Sequence, residues 1–345
     1  AMMAARAREW PHGMTATATH DTKRGEDARA RIMALAEIPG EWTSAVARWK
    51  VLNAPHLVLE GEMRAPSATF EYMLYQALLG AWDPDDPSLL ARIQAYALKA
   101  AREGKQETSW LNPHEPYETG VKTFIDRILD RNISPEFLDA LDALARRTTL
   151  IGALNSLSQV TLKATMPGVP DFYQGTEGWD LSLVDPDNRR PVDFAERADT
   201  LAALETPDWD ALTEGWRDGR LKFAWTRHLL RLRNELPEVF TGGDYQPLTV
   251  GGPHRDHVIA FARRHGRAAV IVAVGRSFAP FTQGGRSWPR PEAFEGEIDV
   301  TGYALPGGDS KVQLATLFAK LPVAVLKVKA AAGTKQVRKR ARAHS

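Results

Sequence analysis

Residues 14–19 alternate in character, with Thr15, Thr17 and Thr19 on one face, and this period of two predicts a short buried strand. The strand stops at His20-Asp21, after which a helical pattern opens through Arg29, Ile32 and Leu35. Helical spacing then governs residues 22–165, where Trp42, Val46 and Trp49 recur on one face, as do Phe70, Met73, Leu74, Ala77 and Leu78. These side chains are read as core. Pro39-Gly40, residues 83–87 and residues 132–135 punctuate the region. Residues 169–173 read as a second short strand, and residues 221–236 as a further helix. After Gly242-Gly243 the period returns to two. Residues 257–263 and 268–274 flank a turn at 264–267, the pattern of a hairpin, and strands follow at 297–300 and 323–328. The predicted order is therefore strand, long helical region, strand, helix and a small antiparallel β domain.

Candidate chemistry sits at the breaks in this pattern. A strand that ends in His20-Asp21 and feeds a helix fits the catalytic rim of a (β/α) barrel, although the same turn would arise if Asp21 only capped the next helix. Residues 108–118 hold two prolines, Asn112, Trp110 and Tyr117, and read as a loop. Exposed aromatics beside Asn and Glu suit a sugar, with rings against its apolar face and polar groups on its hydroxyls. The alternative is a helix entrance with Trp110 in the core. Residues 179–193 form a long loop dense in charge and turn residues, and such loops are often functional. His254 and His257 have a spacing a metal site could use, but no third ligand is near in sequence, so they are read as surface histidines.

Composition narrows the function classes. With 345 residues, the chain is long enough for two domains. Its 44 basic and 43 acidic residues balance, so nothing overall steers it to nucleic acid or a membrane surface. The Lys335–Arg342 basic tail, residues 329–345, is read as a solvated, disordered end. No run of about 18 apolar residues and no basic-then-apolar leader is present. The absence of cysteine excludes thiolate chemistry and agrees with a cytoplasmic protein. No G-x-G-x-x-G after a strand, no phosphate-binding G-x-x-x-x-G-K-[ST] and no H-E-x-x-H occurs, so nucleotide and zinc-protease readings lack support; no cofactor or metal is implied.

Four blocks in order, residues 18–27 (ATHDTKRGED), 108–110 (TSW), 168–177 (GVPDFYQGTE) and 185–191 (DPDNRRP), resemble the maltooligosyl trehalose synthase family of the α-amylase superfamily, glycoside hydrolase family 13. The resemblance covers nearly everything but the basic tail. It implies the last two strands of a (β/α)8 TIM barrel with a large helical insertion, followed by a small antiparallel β-sandwich. On that reading residues 1–27 hold barrel strand 7 and the catalytic loop, and 28–147 the insertion. Residues 148–240 hold strand 8 with the final barrel helices, and 244–328 the β domain. It further implies a maltooligosaccharide substrate, isomerised at its reducing end in trehalose biosynthesis, with hydrolysis or simple glucan binding as the competing readings. Asp21 matches the carboxylate that holds the distorted sugar in the transition state, and His20 the histidine on the sugar hydroxyls. Lys23, Arg24, Trp110 and Tyr117 are expected as pocket walls, and Asp171, Tyr173 and Gln174 as substrate contacts. The nucleophile and the acid/base belong to strands 4 and 5. The expectation is a C-terminal piece, inactive alone, whose partner is the missing N-terminal part of the barrel; Asp171, Glu177 and Asp187 follow the wrong strand for those roles.

Overall fold

The computed structural model describes residues 2–305 and 307–331; the basic residues 335–342 lie outside them. Helix α1 (Met2–Glu9) leads into β1 (Met14–Thr15). The strand is shorter than the six residues expected, because at Thr19 the chain turns: the Thr22 hydroxyl and N–H both donate to the Thr19 carbonyl, at 2.7 and 3.2 Å. Arg6 of α1 braces this start, donating to the carbonyls of Pro167 and Gly13 and to the Thr15 hydroxyl.

The helical region comprises α2 (Glu26–Met33), α3 (Pro39–Asn53), β2 (Val58–Glu60), β3 (Met63–Ala65), α4 (Ala68–Ala81), α5 (Leu89–Gly104), α6 (Glu115–Leu129) and the 31-residue α7 (Pro135–Thr165). Proline in the first turn starts α3, α6 and α7, where its missing N–H costs nothing. Helix α7 ends where Met166, preceding Pro167, is pushed to an extended conformation. Trp49 is fully buried and meets Trp42, Tyr75 and Phe137 edge-on at 5.9, 5.3 and 5.6 Å, so the helical spacing of these residues does report the core. The helical reading of residues 22–165, outside the 108–118 loop, needs one correction. Strands β2 and β3 form an antiparallel hairpin about Gly61, whose φ of +58° suits glycine.

Strand β4 (Val169–Pro170) then pairs parallel with β1, in the register Met14 to Val169 and Thr15 to Pro170. It too is shorter than predicted, though the Asp171 N–H still reaches the Thr15 carbonyl at 2.8 Å. Helices α8 (Phe194–Ala203), α9 (Trp209–Glu214), α10 (Arg220–Glu235) and α11 (Pro237–Thr241) follow. Asp193 and Asp208 cap α8 and α9 by accepting N–H groups of their first turns.

The remainder is antiparallel: β5 (Asp244–Pro247), β6 (Val250–Gly251), β7 (Val258–His265), β8 (Ala268–Gly275), β9 (Glu297–Asp299), β10 (Tyr303–Ala304), β11 (Lys311–Gln313), the short α12 (Leu314–Leu317) and β12 (Val323–Ala330). One sheet runs β10-β12-β8-β7-β5 and a second β11-β9-β6. The β7–β8 hairpin pairs through His265 and Ala268, so its turn is Gly266-Arg267 alone, with Gly266 at φ +59° in the position such turns reserve for glycine. Buried Arg263 fastens this sheet to the helices, donating to the carbonyls of Thr165, Phe240 and Gly243. His254 and His257, expected at the surface, are half-buried with their rings edge-on to Phe281. Among the described residues no helix is long and apolar enough to cross a membrane.

Candidate active site

The parallel pair β1–β4 sends two loops to the same side. His20 and Asp21 stand at the turn after β1, mostly exposed, with His20 Nε2 at 3.1 Å from Asp21 Oδ2. The loop after β4 returns to them through Asn188, whose side-chain amide donates to the carbonyls of Thr19 and His20 at 3.2 and 3.0 Å. Tyr173 supports Asn188 by donating its hydroxyl to the Asn188 carbonyl at 3.2 Å. Three of the four sequence blocks thus meet at one rim. Beside it a cleft of about 410 Å³ is lined by Tyr173, Gln174, Asn188 and Arg190 among others, a size that accommodates a small polar ligand.

A rib on α5 holds this rim from the insertion side. Arg92 forks onto both oxygens of Asp187 at 2.9 Å and also pairs with Asp86. Tyr96 accepts from Arg24 at 3.0 Å, Lys99 donates to the Asp185 carbonyl at 2.7 Å, and Glu103 pairs with Lys23 at 2.8 Å. Residues 92, 96, 99 and 103 are separated by four, three and four positions, so they share one helix face. Sequence reasoning missed this rib, although the polar stripe was visible.

Beneath the rim lies a buried ionic clamp that was also missed. Lys222 of α10, fully buried, donates to Glu26 Oε1 at 2.6 Å, to Asp27 Oδ2 at 2.7 Å and to the Gly178 carbonyl at 3.0 Å. Lys163 near the end of α7 donates to Glu26 at 3.1 Å and to the Thr17 hydroxyl at 2.7 Å, and its ammonium lies 4.4 Å from the centre of the Phe172 ring. Asp27 also accepts the Asp180 N–H at 2.6 Å. Burial by itself would raise the Glu26 carboxyl, but the two ammonium groups hold it down at about 2. Burial dominates at Asp27 and pushes it up, with Glu26 adding to the rise. Next to this pair Gly25 passes so close to Asp180 that a Cβ there would lie 2.4 Å from Oδ2. Only glycine fits. The clamp ties the His20-Asp21 loop, the strand-4 loop, α7 and α10 into one body.

In the comparisons, no family model matches the chain. A Mycobacterium tuberculosis protein that carries the name maltooligosyl trehalose synthase is 38% identical over 337 residues, which is 94% of this chain and 38% of the relative. The maltooligosyltrehalose synthase structure from Arthrobacter ramosus superposes with a TM-score of 0.74 at 34% identity, covering 95% of this chain and 40% of that one. By sequence and fold the chain belongs with the maltooligosyl trehalose synthases. Another crystal structure of a maltooligosyl trehalose synthase gives a TM-score of 0.69 at 29% identity over 93% of this chain and 41% of its own. The chain corresponds to the C-terminal part of these longer proteins, about 40% of the length of the Arthrobacter synthase.

The residues singled out through the resemblance to maltooligosyl trehalose synthases are not all placed alike. His20, Asp21, Lys23 and Arg24 lie together on the loop after β1; Arg24 is half-buried against the Tyr96 ring. Asp171 and Tyr173 are half-buried and Gln174 is exposed on the loop after β4. Trp110 is exposed in a loop, with the Arg102 guanidinium 4.8 Å from its ring. Glu118 grips Arg102 by both oxygens and accepts the Thr108 hydroxyl, which ties the Trp110 loop to α5, the helix whose Glu103 pairs with Lys23. Tyr117 contradicts the expectation. It is in the first turn of α6, 1% exposed, and its hydroxyl accepts the Ser67 N–H at 3.3 Å. A ring so buried packs the insertion and offers no face to a sugar. Among the described residues no group of His, Asp and Glu is arranged to hold a metal ion.

Proposed function

We propose that the chain is the C-terminal part of an intramolecular transglucosylase, an isomerase that converts the reducing-end α-1,4 link of a maltooligosaccharide into the α,α-1,1 link of trehalose. The observation that carries this reading is the His20-Asp21 turn at the end of one of two parallel strands, with Asn188 of the next loop bonded to its backbone. The two strands are assigned as the last two of a (β/α)8 barrel, the helices between them as its insertion and the antiparallel sheets as the C-terminal β-sandwich. The proposal includes a cytoplasmic location.

In such a mechanism one carboxylate attacks the anomeric carbon, a second gives and then takes a proton, and a third favours the flattened, partly cationic ring over the relaxed one. Asp21 takes the third role, and His20 bonds the ring hydroxyls. Asp187 is unsuited to the first two, since Arg92 holds both its oxygens. The nucleophile and the acid/base are assigned to the part of the enzyme that precedes this chain in its relatives, which makes the chain inactive alone. The released glucose must stay, turn and attack the glycosyl-enzyme through its own anomeric hydroxyl, so water has to be kept out. Lys23, Arg24 and the Trp110 loop serve as walls, and Asp171, Tyr173 and Gln174 as substrate contacts. Tyr117 leaves that set.

Incubating the enzyme that carries this chain with maltopentaose tests the reaction. Loss of reducing ends without free glucose is the expected outcome. A rise in reducing ends identifies an α-glucan hydrolase, and binding without turnover identifies a glucan-binding protein; either overturns the proposal.

A further inference from the structure

The hydrogen bonds that hold the His20-Asp21 turn come from two sources. Within the turn, the Thr19 carbonyl accepts the Thr22 N–H and hydroxyl, the Thr22 oxygen accepts the Thr19 N–H at 3.1 Å, and the Asp21 N–H reaches the Thr19 hydroxyl at 3.2 Å. Among the described residues, the hydrogen bonds that reach residues 19–22 from outside come from Asn188 alone, whose side-chain amide donates to the carbonyls of Thr19 and His20 at 3.2 and 3.0 Å. The Asp21 side chain is 81% exposed, and its partner His20 belongs to the same turn. The direction of this carboxylate is therefore set by the backbone of the turn rather than by packing around it.

Asn188 is itself held by its neighbours. Arg92 of α5 forks onto Asp187, which also accepts the Leu183 N–H at 2.7 Å. A single 3₁₀ turn, Asp187–Arg189, carries Asn188, and the Tyr173 hydroxyl ties down its carbonyl at 3.2 Å. The amide can face the catalytic turn in one sense only, because its oxygen placed there would oppose two carbonyl oxygens. In the sense it adopts, Oδ1 is buried and meets no donor, so the polar engagement of this side chain goes entirely to the turn.

We propose that Asn188 is a positioning residue for the reaction, reaching across from the loop after β4 to lock the backbone of residues 19–20 so that the Asp21 carboxylate meets the sugar ring in one direction. This role rests on the transition-state function given to Asp21 above. A carboxylate that favours a developing positive charge has to be aimed before the reaction, and a misplacement of about 1 Å can cost on the order of a hundredfold in rate.

The test is a double-mutant cycle in the enzyme that carries this chain, with steady-state kinetics on maltopentaose for the parent, Asn188→Ala, Asp21→Asn and the pair. Asn188→Ala should lower kcat about 10- to 100-fold with KM within about threefold, and in the Asp21→Asn background the same change should cost less than about twofold. Asn188→Leu, which keeps the outline of the side chain without its N–H groups, should repeat the result and serves should the alanine variant fail to fold. Turnover of these variants within about twofold of the parent, an equal loss in both backgrounds, or a loss confined to KM overturns the positioning role. Near-parental turnover of Asp21→Asn alone overturns instead the function of Asp21, and the role of Asn188 with it. Rates are read from substrate consumed, so the cycle holds whichever product forms.

Discussion

Lys222→Met removes the charge at the centre of the clamp while keeping the length of the side chain. In the parent, one fully buried ammonium faces Glu26 and Asp27 at 2.6 and 2.7 Å and also bonds the Gly178 carbonyl. Removing it leaves two neighbouring carboxylates in the interior, with Lys163, 3.1 Å from Glu26, as the ammonium that still bonds one of them. Breaking a buried ion pair by deleting one partner costs about 3–5 kcal/mol, because the survivor keeps its desolvation penalty without its attraction. A value near the upper end is expected, since two carboxylates lose their partner. Urea unfolding followed by circular dichroism at pH 7 measures it. The combined variant Glu26→Gln, Asp27→Asn, Lys222→Met should recover part of the loss, since neutral side chains carry no buried charge, and an amide oxygen at position 27 still accepts the Asp180 N–H. A single-variant loss below about 1 kcal/mol, typical of exposed pairs, would show that Lys222 does not hold these carboxylates as a buried ion pair.

Other outcomes follow from the same geometry. Glu26 has its carboxyl lowered from 4.5 to about 2, so its contribution is present above pH 4.5 and disappears as pH falls towards 2; the stability gap between parent and Glu26→Gln should narrow across that window in urea titrations. Arg92→Lys should behave almost like Arg92→Ala, each losing about 3 kcal/mol in thermal or urea unfolding, because one ammonium cannot span both Asp187 oxygens. Recovery of parental stability by the lysine would show that charge alone matters there. Trp110→Ala should change stability by less than about 0.5 kcal/mol yet weaken maltooligosaccharide binding, whereas Tyr117→Ala should cost about 3–5 kcal/mol. Paired melts and sugar titrations distinguish the two.

What the sequence revealed, and what it hid, follows from the range of the interactions. Trp42, Val46 and Trp49 announce a buried helix face because the periodicity of burial is local. The β7–β8 hairpin is equally plain, since its strands are contiguous apart from a two-residue turn. Strands of two or three residues, such as β2 and β3, are too short to show a period. The motif Gly25-Glu26-Asp27 was legible as a family mark, but its physical role was not, because the cations that satisfy Glu26 are 137 and 196 residues away. The α5 rib is hidden in the same way, with Arg92 and Asp187 separated by 95 positions. Trp110 and Tyr117 looked alike in sequence and fell on opposite sides of the surface: one is on a loop, and the other is in the first turn of α6 beneath Ser67.

On the proposed function, Asp21 in the turn after β1 is the carboxylate that favours the transition state. The most direct measurement is the steady-state kinetics of Asp21→Asn in the enzyme that carries this chain, with maltopentaose as substrate. Asp21 is exposed and bonds within its own turn, so the fold should survive the change. The kcat should fall at least about a thousandfold with KM little altered, as expected for an interaction realised in the transition state. Turnover within a few-fold of the parent would contradict it.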